Sequence, residues 1–349
     1  MSGGRGGQSP LRVDAKARGG QSPVAGVPKA ELHVHLEGTA TPDLVRRLAA
    51  RNGIALPDGL FRADGSFAWV DFLDFLRAYD DAASTIRTAQ DYRDVTYEYL
   101  AACAAEGAVY VELIASLDHG RKVGLGDAEH LAGITQGIDD AYADHGIVGR
   151  IISSIVRNFG VADCEDVARR TVALAHPYVV GFNMAGDEAG FPAGDYHRAF
   201  AIVADAGLGC SVHAGEHAGP ESIRAALALP GVVRISHGVR AIEDPALVSE
   251  LADRRIVLEV CPTSNVVLGV FRTYEDHPLG ALRAAGVPVT LGSDDPPYFG
   301  TTIGREYELA HERLGCSLAD LRAITETALN AAFSDIEGVV NQPDRPVDL

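Results

Sequence analysis

Between Ala30 and Ser293 short apolar runs alternate with longer amphipathic stretches, and this alternation constrains the fold more than any other feature. The apolar runs are Ala30–Leu36, Ala108–Ile114, Gly149–Val156, Tyr178–Met184, Gly209–His213, Val232–His237, Ile256–Cys261 and Pro288–Ser293, eight in all. Between them Asp127–Tyr142, Cys164–Ala175, Tyr196–Ala206, Ala218–Leu227 and Pro245–Arg254 read as helices, with Gly or Pro punctuating the junctions. Parallel strands joined by crossover helices give this pattern, and eight of them predict an α/β fold of the (β/α)8 TIM-barrel type. A doubly wound sheet would give the same local signal, so the choice rests on the number of strands.

The stretch between the first two strands is too long for one crossover helix. It carries Phe67, Trp69, Phe72, Phe75 and Tyr79 at near-helical spacing, which predicts extra helices inserted after the first strand. They form either another layer on the barrel or a lid over its mouth. The first 27 residues hold seven Gly and the hexapeptide Arg-Gly-Gly-Gln-Ser-Pro twice, at Arg5–Pro10 and Arg18–Pro23. Such low-complexity chain has little to bury and reads as a disordered extension. The expected organisation is a tail over 1–27, a barrel over 28–335 and a C-terminal tail over 336–349.

Composition removes several classes of function. Hydrophobic residues make up 47%, enough for a large core. Lys and Arg total 30 against 48 Asp and Glu, a formal net charge of −18. A phosphate backbone would be repelled, so no DNA or RNA partner is expected. The five Cys are odd in number and never spaced C-x-x-C, which suits a reducing cytoplasm and argues against disulfides or a Cys-based zinc knuckle. No apolar run reaches the roughly 18 residues of a membrane span, and no secretory signal is legible. The expectation is a cytoplasmic protein without a membrane partner.

Metal-capable residues gather at the C-terminal ends of the proposed strands, where barrel active sites lie. The first strand ends in His33-Val34-His35, the fifth in His213-Ala214-Gly215-Glu216, the sixth in His237-Gly238 and the eighth in Ser293-Asp294-Asp295-Pro296. With a side-chain period of two, His33 and His35 face the same way. Each element alone has an ordinary reading as a strand-end polar pair, a hydrogen-bonded histidine or a turn. Together His33, His35, His213 and Asp294, from strands one, five and eight, can surround one divalent ion. Imidazole nitrogen with one carboxylate suits Zn2+ best, one per chain, with Fe(II) and Mn(II) left open. Such an ion lowers the pKa of bound water from about 15.7 to about 7, which provides a nucleophile without Ser or Cys.

These motifs, with Cys261-Pro262-Thr263-Ser264-Asn265, resemble the adenosine deaminase family of the amidohydrolase superfamily, in order from Lys29 to about Asn330. The resemblance implies a purine as the small-molecule partner and hydrolytic loss of its 6-amino group as ammonia. By that resemblance Glu216 protonates purine N1, His237 orients and helps deprotonate the attacking water, and Asp295 hydrogen-bonds N7. Met184-Ala185-Gly186-Asp187-Glu188 resembles the family's substrate loop, where the Gly186 N–H approaches N3; an ordinary turn would also explain this glycine.

Two departures bear on the substrate. Many adenosine deaminases have Asp where this chain has Glu37, and Glu is commoner in adenine deaminases. Thr263 and Glu306-Tyr307 look more like the nucleoside enzymes, whereas Tyr298-Phe299-Gly300 resembles the adenine enzymes. The weight of these clues favours adenosine, converted to inosine, with Glu37 at the ribose. Adenine or another 6-aminopurine nucleoside is the alternative, and a non-catalytic zinc or purine binder stands as a third reading.

Overall fold

The computed structural model describes residues 22–334. All eight expected strands form: β1 Lys29–His35, β2 Ala108–Ala115, β3 Val148–Val156, β4 Val179–Ala185, β5 Gly209–Ala214, β6 Val232–His237, β7 Val257–Val260 and β8 Val289–Leu291. Each pairs in parallel with the next in chain order. The chain just past β8 then returns to β1: Asp294 bridges Val34, the His35 N–H donates to the Asp294 carbonyl at 3.0 Å, and the Asp294 N–H donates to the His33 carbonyl at 3.2 Å. This closure separates the (β/α)8 barrel from a doubly wound sheet.

The last two strands are shorter than their apolar runs. Pro262 has no N–H to continue the β7 ladder and opens a short helix, Pro262–Val267. Past β8 the backbone turns left-handed at Asp294, with φ 62°. The expected crossover helices appear as Asp127–His145, Val161–Leu174, His197–Asp205, Pro220–Leu227 and Pro245–Asp253.

Polar side chains pair across the barrel interior. Arg234 on β6 is almost wholly buried and reaches Glu112 on β2, four strands away, at 2.7 Å and Glu259 on β7 at 2.7 Å. Asn183 on β4 donates to Ser211 at 2.7 Å and to Ser236 at 3.2 Å, and Ser236 donates to Glu259 at 2.7 Å. Burial of these groups is tolerable because each finds a partner.

The insertion after β1 consists of α1 Pro42–Asn52, α2 Phe72–Ala83 and α3 Ala89–Ala105. Thr41, Asp71 and Thr88 cap their N-termini through side-chain oxygens, and Gly53 ends α1 in the left-handed conformation. Phe67 lies ahead of α2 and stacks on Tyr298 at 4.0 Å between ring centres. The folded part begins earlier than the expected boundary at 28, since Val24 and Val27 are buried and Lys29 Nζ donates to both of their carbonyls. The rest of the expected N-terminal tail, and all of the C-terminal one, lie outside the described residues. All five cysteines are free and buried. Among the described residues no helix is long and apolar enough to cross a membrane.

Candidate active site at the strand ends

Barrel closure brings the four expected ligands together. Nε2 of His33 and of His35 lie 3.6 and 3.4 Å from Asp294 Oδ1, and the Nε2 atoms of His35 and His213 are 3.1 Å apart. The far sides of two rings are anchored: His33 Nδ1 is 3.3 Å from the Glu259 carbonyl and His213 Nδ1 is 3.0 Å from that of Met184. A carbonyl only accepts, so each Nδ1 carries its proton and each Nε2 turns a lone pair inward. His33 Nε2 is buried without a hydrogen-bond partner. Inward lone pairs beside a carboxylate form a donor set that fits a divalent cation.

His237 comes as close to this centre as the other imidazoles, its Nε2 3.8 Å from Asp294 Oδ2 and 3.6 Å from Glu216 Oε2. Its tautomer distinguishes it from a ligand. The Leu279 N–H donates to His277 Nδ1 at 3.3 Å, so His277 Nε2 carries the proton and donates to Asn265 Oδ1 at 3.2 Å. The Asn265 amide then donates to His237 Nδ1 at 3.2 Å, leaving the proton of His237 on Nε2. A protonated Nε2 is a donor towards the centre. Like Asp294, His237 holds a positive φ, 63°, a strained state for a side-chain-bearing residue that clusters at functional sites.

Burial sets the charge states. It lowers His213 and His237 well below the usual imidazole value and brings His35 to about 4. Burial alone would raise Asp294, but the adjacent His33 imidazole, and then those of His237 and His35, hold it well below the carboxylate range. Glu216 moves the other way: burial, then the charges of Asp294 and Glu188, raise it well above that range. Asp295 is raised for the same first two reasons, burial and Asp294. The centre thus combines three imidazoles lowered by burial, His33, which Asp294 and Glu259 raise against its burial, one carboxyl held low and one, Glu216, held high.

The remaining expected residues line the same cavity, about 870 Å³ of space partly open to solvent. Glu37 is buried, accepting the Ser116 N–H at 3.3 Å and the Tyr79 hydroxyl at 3.4 Å, and burial raises its carboxyl. Asp295 Oδ1 has no partner and lies against Gly38, where any Cβ would come within 1.7 Å of it. At Gly186 φ is 102° and a Cβ would sit 2.3 Å from Asn158 Oδ1, so the turn itself demands glycine there. From α2, Phe72, Phe75, Leu76 and Tyr79 wall the cavity, so this helix covers the barrel mouth. Of these wall residues the sequence reading named Phe72, Phe75 and Tyr79, as part of a layer or a lid, but not Leu76, and it assigned no role to Asn265, His277 or Glu188.

A barrel whose strand ends carry three imidazoles, two of them with an Nε2 lone pair turned inward, one carboxylate and a buried glutamate has the architecture of a metal-dependent hydrolase. A family model described as Adenosine deaminase matches residues 28–341, and the chain belongs to this family of purine-deaminating hydrolases. It is 49% identical over 308 residues to an adenine deaminase of Chelativorans sp. (strain BNC1), covering 88% of this chain and 94% of the relative. Among solved structures it is similar to adenine deaminase from Arthrobacter aurescens, with a TM-score of 0.85, 30% identity and coverage of 90% of this chain and 96% of that one. It also resembles an amidohydrolase from Burkholderia ambifaria with bound Zn, with a TM-score of 0.82, 26% identity and coverage of 90% and 88%.

Proposed function

We propose that this protein hydrolyses adenine to hypoxanthine and ammonia. The observation that carries the deaminase chemistry is the buried Glu216, its carboxyl raised above the usual range, facing the same cavity as the His33, His35, His213 and Asp294 cluster. Free adenine, rather than adenosine, is supported by the relatives named above. The clues that favoured the nucleoside lose their force in the fold. Glu306 accepts the Thr263 N–H at 3.2 Å and the Thr301 hydroxyl at 2.5 Å, while the Tyr307 hydroxyl meets Thr325 at 2.9 Å. These residues brace one another and do not line the cavity.

His33, His35, His213 and Asp294 would hold one ion, with zinc favoured by the ligand types and by the zinc-bound relative. Bound there, it supplies Lewis acidity and brings water to a pKa of about 7. Glu216 delivers its proton to N1, which draws electron density from C6 as water attacks. The His237 Nε2–H orients the attacking oxygen and stabilises charge developing on it, a donor role in place of the deprotonation expected from sequence. Asp295, holding its proton, donates to N7, and the Gly186 N–H meets N3. Glu37 accepts the N9–H of the free base, a donor that adenosine lacks because its sugar occupies N9. Water adds at C6; of its two protons one leaves with the departing ammonia and the other restores the Glu216 carboxyl, leaving oxygen at C6.

Zinc-loaded protein incubated with adenine should release hypoxanthine and ammonia in equal amounts. Chelation should abolish this, and added zinc should restore it. Adenine left intact by metal-replete protein would remove the proposed activity.

A further inference from the structure

One carboxylate ties the loop after β4 to the loop after β5. Glu188, 4% exposed, accepts the backbone N–H groups of Gly215 at 2.5 Å, Glu216 at 3.1 Å, His217 at 2.9 Å and Ala218 at 2.9 Å. Four consecutive amides aimed at one anion form a nest, here filled from within the chain. The carbonyl side of the same turn is held too. Buried Arg157 donates through Nη2 to the His213 carbonyl at 2.6 Å and through Nη1 to that of Phe191 at 3.3 Å. On the β4 side, Asn158 Oδ1 accepts the Asp187 N–H at 2.8 Å, fixing the chain between Gly186 and Glu188.

The geometry points to Glu188 as a positioning residue that sets the spacing between the Gly186 N–H and the Glu216 carboxyl. This inference rests on the deaminase reading, in which those groups meet N3 and N1 of the purine. Gly186 lies two residues before Glu188 on one loop, and Glu216 sits inside the nest on the other. N1 and N3 flank C2 of one rigid ring, so a single ring position satisfies both only when the loops keep a fixed separation. Both Glu188 oxygens are engaged by amides, so it acts through the loops without touching the base. Losing the nest frees the β5 loop to shift, and misplacement by about 1 Å is enough to cost about 10²-fold in rate.

The test uses the full-length zinc-loaded protein and two readouts besides ion content. Glu188→Gln keeps the side-chain volume but turns an NH2 group towards amide donors. It should keep its zinc and lose about 10²-fold in kcat for adenine. The second readout is competitive inhibition by 6-methylpurine against its 3-deaza analogue, which replaces N3 with C–H. The unaltered protein should prefer the N3-containing inhibitor by about fivefold or more, the worth of a hydrogen bond whose loss strands a buried donor. In Glu188→Gln that preference should shrink to under about twofold, whereas a purely structural defect would weaken both inhibitors alike. If Glu188→Gln does not fold, Glu188→Asp, which keeps the charge but withdraws it by one methylene, carries the same readouts. A variant that retains the N3 preference, or whose loss of rate merely follows loss of zinc, overturns the inference. Unaltered protein that deaminates no purine overturns the deaminase reading instead.

Discussion

The His35 backbone N–H donates to the Asp294 carbonyl at 3.0 Å, while the ring Nε2 of His35 lies 3.4 Å from Oδ1 of the same aspartate. The seam that closes the barrel and two of the proposed ligands therefore belong to one residue pair. Closing the sheet is enough to place both side chains, so the donor set is organised by folding. The two roles are separable, because backbone groups make the seam and side-chain atoms face the centre.

Asp294→Ala follows from that separation. It removes the only anionic side chain of the proposed ligand set, so zinc and turnover should disappear together. The seam survives, so circular dichroism should still report a folded barrel. Zinc retained at one per chain after the substitution would place the ion elsewhere.

Glu216→Gln keeps the shape of the side chain but cannot give up an acidic proton. Ion content should be unchanged and kcat should fall by ~10²–10⁴-fold, the usual worth of general acid–base catalysis. A loss below about tenfold with the ion in place would move the acid role to another group.

Glu37→Ala should lower kcat/KM for adenine by about 10- to 150-fold, equivalent to the roughly 1.5–3 kcal/mol of a hydrogen bond to a charged group. Zinc content should not change, since Glu37 contacts Ser116 and Tyr79. An unaltered kcat/KM would show that this carboxylate does not touch the base.

The convergence of His33, His35, His213 and Asp294 was legible from sequence because the strand period restricts position: His33 and His35 share a face, and His213 and Asp294 lie at the ends of their own strands. The nest around Glu188 was not legible, since a carboxylate three residues beyond a strand looks like any rim acid until the next loop folds over it. Thr263 and Glu306 were misread as substrate clues for the same reason. They lie 43 residues apart and meet only in the folded chain. The start of the folded part was set too late because the glycine-rich texture before Lys29 hides Val24 and Val27, which are buried.

Glu306 also gives a pH prediction away from the centre. Burial pushes its carboxyl up to about 7, against roughly 4.3 in an unfolded chain. The folded state therefore holds this proton more tightly, and that stabilisation is complete below about pH 4 and lost as pH rises through about 7. Glu306→Gln mimics the neutral form at every pH. The variant's Tm minus that of the unaltered protein should increase from pH 5 to pH 8; a constant difference would show that Glu306 does not titrate in this window.

Substrate preference is read most plainly from kcat/KM for adenine and for adenosine, measured side by side on the same zinc-loaded preparation. A buried Glu37 accepting N9–H predicts that adenine exceeds adenosine by at least about tenfold, the lower end for a hydrogen bond to a charged group. Adenosine turned over as well as adenine, or better, would contradict the assignment of the free base.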